Sequence, residues 1–176
     1  MKTFFTSFRM LIVTTLLLGG VYPFAIWAIG HVFFRAEAEG SQVVFHDKLV
    51  GSALLAQKTE DAKLFHPRPS AADYATVASG ASNLPWSSKA LLAQIAASPF
   101  HDERATQSGS GLDPDLTPGA VLAQMDSVAA ARGWNSAQCN RVAAWIAVHT
   151  EGGIIGPRYV NVLLLNIALE ELEKAR

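Results

Sequence analysis

The chain has 176 residues, with 14 Lys plus Arg against 15 Asp plus Glu and a single cysteine. That length suits one compact domain plus an anchor. A formal charge of −1 with no basic patch, basic helix or zinc spacing gives no reason to expect a nucleic-acid partner, and the lone Cys139 excludes an internal disulfide, so the domain must be held by its apolar core.

Hydrophobic residues make up 50% of the chain, and much of that excess lies in its first quarter. Residues 1–9 carry Lys2 and Arg9. Met10–Phe34 then runs without Asp, Glu, Lys or Arg. As a helix it would reach about 37 Å, against a bilayer core of about 30 Å. Signal-peptide apolar regions are about 7–15 residues long, so the Ala36-Glu37-Ala38 pattern follows a run too long for that role and an uncleaved anchor is expected. Lys2, Arg9 and the amino terminus precede the span with no acid among them, whereas Arg35 and Lys48 follow it among Glu37, Glu39 and Asp47. The positive-inside rule therefore puts the N-terminus in the cytoplasm and residues 35–176 outside. Gly19, Gly20 and Pro23 mark a weak point in the helix. Thr15-x-x-x-Gly19 reads equally as a close-packing face for a partner helix and as the ordinary Gly and Pro content of membrane helices.

Beyond a short linker, Arg35–Gly40, the pattern Val43-Val44-Phe45, His46-Asp47-Lys48, Leu49-Val50 predicts a hairpin. Gly51–Gln57 reads as strand or loop. Phe65–Ser70 must be extended, because each of Pro67 and Pro69 pushes its predecessor out of the helical region. Three or four helices follow. Ser87 or Ser88 caps one with Leu91, Leu92 and Ile95 on a face. Thr117-Pro118 starts another that carries Val121, Met125 and Val128 and stops at Gly133. Asn135 or Ser136 caps the next, with Val142, Trp145 and Ile146 inward. The last is expected from about Tyr159 to the C-terminus, apolar around most of its circumference. The fold class is α+β: one N-terminal transmembrane helix (10–34) after a cytoplasmic N-terminus (1–9), then a single small extracytoplasmic domain (35–176).

Gln107-Ser108-Gly109-Ser110-Gly111-Leu112-Asp113-Pro114 is the most distinctive stretch. A Gly- and Ser-rich loop ahead of a helix start can cradle an anion. It lacks the G-K-[ST] ending of a Walker A loop and the order of a G-x-S-x-G elbow, and the plainer expectation is a tight turn whose glycines take positive φ. The five histidines show no ligand spacing, so no metal site and no catalytic residue is assigned. Arg68, between two prolines, reads as a protruding contact for a partner or as an internal salt bridge. Ser79-Gly80-Ala81-Ser82-Asn83-Leu84 is a binding loop or a capped connection.

In order along the chain, Gly51-Ser52-x-Leu54-Leu55-x-Gln57, Arg68-Pro69-Ser70-Ala71, Tyr74, Ser79-Gly80-x-Ser82-Asn83-Leu84, Thr106-x-Ser108-Gly109-Ser110-Gly111-Leu112-Asp113-Pro114, Gln124, Ala129-x-Ala131-Arg132 and Val160-Asn161-Val162-Leu163-x-Leu165-Asn166-x-Ala168-Leu169 resemble the C chain of the bacterial Kdp potassium-transporting P-type ATPase. Where that family usually has Asp-Leu-Val before the threonine, this chain has Glu103-Arg104-Ala105. The resemblance implies a non-catalytic accessory subunit in the inner membrane, beside a channel-like potassium-binding subunit, a P-type ATPase subunit and a small membrane peptide. It implies a role in assembly and in raising the motor's ATP affinity as a "catalytic chaperone", with Gln107, Ser108, Gly109, Ser110 and Gly111 as the nucleotide loop and ATP the only ligand. Arg68, Ser70, Ser82, Asn83 and Asn161 are the partner-binding candidates. The chain lacks the motor's Asp-Lys-Thr-Gly site, since Asp47-Lys48 continues Leu49-Val50, and it lacks a Thr-Val-Gly-Tyr-Gly filter. An outward domain also conflicts with direct nucleotide contact. The rival readings are a membrane-anchored hydrolase using Ser108 or Ser110 and a periplasmic binding protein.

Overall fold

A computed structural model describes residues 1–174. The chain divides into two compact units, one of Met1–Gln42 and one from Val43 onward.

The first unit is mostly helical. Helix α1 (Lys2–Leu16) passes through a π-helical turn (Leu17–Val21) into α2 (Tyr22–Phe33). The run Lys2–Phe33 is 32 residues with a mean hydropathy of 1.9 in its best window, long and apolar enough to cross a membrane. The weak point falls where Gly19, Gly20 and Pro23 predict it. Pro23 has no N–H to give the carbonyl four residues back and its ring presses on that carbonyl; one wide turn relieves both. A Cβ at Gly19 or Gly20 would meet nothing within 4 Å. The expected linker after the span is instead a helical turn, α3 (Arg35–Ala38), braced by an exposed Arg35–Glu39 ion pair at 2.8 Å and ended by Gly40 at φ 86°.

The second unit opens on the predicted hairpin, β1 (Gln42–Phe45) and β2 (Lys48–Ser52). Both connecting residues take positive φ, His46 at 50° and Asp47 at 60°, as a type I′ turn demands. After β2 the chain runs without helix or strand until α4 (Lys89–Ala97), whose first turn is capped by Ser88. Leu91 is buried there, but Leu92 faces solvent, so the apolar face is narrower than its sequence suggests.

The helix begun by Thr117-Pro118 is two helices, α5 (Pro118–Leu122) and α6 (Met125–Arg132). The break comes where the Gln124 N–H reaches back only three residues, to the Val121 carbonyl. Gly133 at φ 67° stops α6, and Asn135 with Gln138 forms a capping box for α7 (Ser136–Val148). The end of the chain also departs from expectation. Arg158–Asn161 is a strand, β5, and the last helix, α8, is Val162–Lys174. Strand β5 is the centre of an antiparallel sheet, β3 (Asp115–Leu116)–β5–β4 (Glu151–Gly152), with Leu116 opposite Val160 and Glu151 opposite Tyr159. Pairing on both edges overrides the helical period that Val160 and Leu163 suggest. Asn161 then caps α8 by accepting from the Leu164 N–H at 3.1 Å. Helix α8 buries Val162, Leu165 and Leu169 but leaves Leu164 exposed, so it is buried along one face, not most of its circumference. Its buried face meets Phe65, Leu116, Val121, Val128, Val142 and Ile146 in the core.

Candidate functional site

The stretch between β2 and α4 is long for a segment without secondary structure, so its backbone polar groups need partners from elsewhere. Side chains supply them. The Phe65 N–H donates to Asn166 Oδ1 at 2.8 Å and its carbonyl accepts from Asn166 Nδ2 at 2.9 Å. One residue on, the His66 N–H donates to Gln124 Oε1 at 2.9 Å and its carbonyl accepts from Gln124 Nε2 at 3.1 Å. In an extended chain successive residues turn these groups to opposite edges. One carboxamide from α8 and one from the α5–α6 break therefore grip the two edges, with the Phe65 ring fully buried between them. Gln124 and Asn166 were legible only as part of the resemblance. The signal for them is an amide placed within an apolar helical stripe, between Val121 and Met125 in one case and between Leu165 and Leu169 in the other.

Arg68 follows. Its Nη2 donates to the Gln107 carbonyl at 2.9 Å, to Thr106 Oγ1 at 3.0 Å and to the Thr106 carbonyl at 3.5 Å. Here it is half-buried, forms no salt bridge among the described residues, and ties this stretch to the Ser-Gly-Ser-Gly loop. The Tyr74 hydroxyl donates to the Arg68 carbonyl at 2.9 Å, and Ser70 Oγ accepts from the Ala72 and Tyr74 N–H groups. The loop answers through the Ser108 N–H, which donates to the Pro69 carbonyl at 3.0 Å.

Within the loop, the Gly111 N–H donates to the Ser108 carbonyl, the Leu112 N–H to Ser110 Oγ, and Ser79 Oγ to the Ser110 carbonyl at 2.7 Å. Gly111 alone of the loop glycines takes positive φ, 71°; Gly109 does not, contrary to the expectation for both. Gln107 is half-buried, while Gly109 and Ser110 are exposed. Ser108 is 2% exposed and its hydroxyl has no hydrogen-bond partner among the described residues. Ser82 and Asn83 are exposed, with Asn83 at φ 54°, so the structure brings neither onto the arm–loop contact by a hydrogen bond. Asn161 ties the β2 exit to the sheet, its Nδ2 donating to the Ala53 carbonyl at 2.7 Å and to Asp115 Oδ1 at 3.2 Å. No group of three or more His, Cys, Asp and Glu able to hold a metal occurs among the described residues.

Burial, followed by the nearby Asp113 and Glu151 carboxylates, raises the Asp115 pKa, against a smaller lowering by the Asn161 hydrogen bond. A raised folded-state pKa means the folded protein binds the proton more tightly, so stability falls as pH rises from the ordinary carboxylate range through the folded value. Asp115→Asn keeps an oxygen for Asn161 and removes that loss. Its thermal midpoint should exceed the parent's at neutral pH, and the difference should vanish in acid. A variant less stable at neutral pH would contradict this account.

These features define a class: a small α+β domain behind one long apolar helix, with its most distinctive polar residues engaged in bracing an irregular arm. A family model described as "K+-transporting ATPase, c chain" matches residues 4–171. The potassium-transporting ATPase KdpC subunit of Pseudomonas aeruginosa is 41% identical over 93% of this chain and 94% of its own length. That of Pseudomonas putida is 43% identical over 97% and 96%, and that of Staphylococcus aureus 36% identical over 98% and 100%. The chain belongs to the KdpC family of potassium-transporting ATPase subunits.

Proposed function

We propose that this chain is a non-catalytic accessory subunit of an ATP-driven potassium importer, anchored in the inner membrane by its N-terminal helix. The domain stands on the periplasmic side and stabilises the union of the channel-like and ATP-hydrolysing subunits, with the small membrane peptide beside them. The observation that carries this reading is how the arm and loop use their polar groups. Arg68, Ser70, Tyr74, Ser79 and Ser110 are bonded to one another's segments, while Val77, Trp86, Ile154 and Ile155 stand 80–100% exposed. Large apolar side chains left in water suit surfaces that other proteins cover.

A direct nucleotide contact by Gln107–Gly111 has less support. The Ser108 and Gly111 amides are committed to carbonyls, and the loop brings no lysine. On this reading any rise in the motor's ATP affinity passes through subunit contact. The same burial weighs against Ser108 as a nucleophile.

Fusions made after Arg176 test the arrangement. A reporter active only in the periplasm should work there, and one active only in the cytoplasm should be silent. The same fusion should carry the channel-like and ATP-hydrolysing subunits through purification. Reversed reporter activities would overturn the orientation and return the loop to the ATP side.

A further inference from the structure

A cleft of about 270 Å³ lies between the β1–β2 hairpin, the segment that follows it and α8. We propose that it receives a peptide segment of another subunit bearing one bulky apolar side chain followed by Lys or Arg; this rests on the accessory-subunit reading.

Size and chemistry select that occupant. An apolar cavity of about 150 Å³ already holds benzene, whereas small-molecule sites begin at about 300 Å³, so the cleft suits a single aromatic or branched side chain. Its floor is apolar, with Val50, Leu64, Pro67, Leu163 and Ile167. The amide on that floor, Asn166, has both its oxygen and its nitrogen bonded to the Phe65 backbone. That amide therefore offers no directional contact to a polar metabolite. The walls are tied in advance: Gln57 Nε2 donates to the Val50 carbonyl at 2.8 Å and the Ala56 N–H to the Leu112 carbonyl at 2.8 Å. A site already ordered loses little entropy on binding.

The rim supplies the charge. It carries Lys58, Glu60, Asp61 and Glu170. Lys58 pairs with Asp73 at 3.0 Å and with Glu60 at 3.4 Å, so its charge is offset locally. Asp61 and Glu170 make no ion pair among the described residues, and a cation beside the apolar anchor complements them.

The test places a photoreactive benzoylphenylalanine at Ile167 of the full chain in the membrane-embedded complex, with exposed Gly119 as control. A crosslink should map to a segment of another subunit in which a bulky apolar residue precedes Lys or Arg. The Asp61→Lys, Glu170→Lys pair should lower its yield at least about tenfold, as like charges facing each other do. Both positions are exposed, and the one hydrogen bond lost among the described residues, from the Lys63 N–H to Asp61 Oδ1, is itself exposed, so the thermal midpoint should fall only slightly. If the probe at Ile167 disturbs the domain, Thr59 on the rim takes its place. A yield no higher than at Gly119, a crosslink to lipid, to a second copy or to an acidic segment, or indifference to charge reversal would overturn the proposal. If the chain still copurifies with the other subunits in those cases, only the cleft assignment falls. If it does not copurify at all, the accessory-subunit reading falls and takes this one with it.

Discussion

Gly111→Val is expected to be among the most damaging single changes in the domain, at about 3–5 kcal/mol, while Gly109→Val two residues away should cost about 0.5 kcal/mol or less. Gly111 takes φ 71°, which a β-branched residue resists. A Cβ there would also sit 2.7 Å from the Gly80 carbonyl oxygen and 3.0 Å from Ser70 Oγ. The Gly80 oxygen belongs to the backbone, so relief there means moving the chain, and Ser70 Oγ holds the Ala72 and Tyr74 amides. A Cβ on Gly109 meets nothing within 4 Å. Ser110→Ala removes the acceptor of the Leu112 N–H, worth roughly 0.5–1.5 kcal/mol, and Ser108→Ala removes a buried hydroxyl that has no partner among the described residues, so it should be neutral or slightly stabilising. Thermal midpoints of the four variants, with subunit content and potassium-stimulated ATP hydrolysis of each purified complex, check the order. Ser108→Ala or Ser110→Ala in a complex fully assembled yet inactive would defeat the structural reading of this loop.

The parts of this fold that local chemistry dictates were readable in advance. The turn at His46-Asp47, the Thr117 cap, the Gly133 stop and the weak point at Gly19-Gly20-Pro23 each follow from a few adjacent residues, and the structure has each where expected; of the paired cap candidates it selects Ser88 over Ser87 and Asn135 over Ser136. What the local pattern misassigned depends on partners distant in the chain. Arg158–Asn161 is a strand because Asp115–Leu116 and Glu151–Gly152 pair with it, and no window around Tyr159 contains those residues. The helix break at Gln124 accompanies a side chain turned to His66, 58 positions earlier. The site divides the same way. Arg68 was singled out for standing between prolines, but its partners, Thr106 and Gln107, lie 38 and 39 positions on. Asn161 likewise bonds the Ala53 carbonyl, 108 positions earlier, whereas Ser70 holds the Ala72 and Tyr74 amides within four residues of itself.

Arg104 and Asp102 give the other large effect, and it should be asymmetric. Arg104 is 6% exposed; its Nη2 lies 2.6 Å from Asp102 Oδ2, its Nε donates to both carboxylate oxygens, and its guanidinium sits 4.3 Å over the Phe100 ring. Asp102 Oδ1 also accepts from the Arg104 N–H, capping a single 3-10 turn over Glu103–Ala105. Asp102→Ala strands a buried cation and removes the cap, at a cost of about 3–5 kcal/mol. Arg104→Leu should fall within about 1 kcal/mol of the parent, because an apolar chain fills the same site and the partly exposed carboxylate keeps its cap and its water. The hydrogen bonds from Arg104 lower the Asp102 pKa below the ordinary carboxylate range. The stability this pair contributes is therefore present above that range and lost as pH falls through the depressed value. Urea midpoints at neutral and acid pH read both effects. Asp102→Ala should lie well below the parent at neutral pH and converge with it in acid. An Arg104→Leu protein as weak as Asp102→Ala at neutral pH would show that the guanidinium stabilises this site beyond what an apolar side chain can supply.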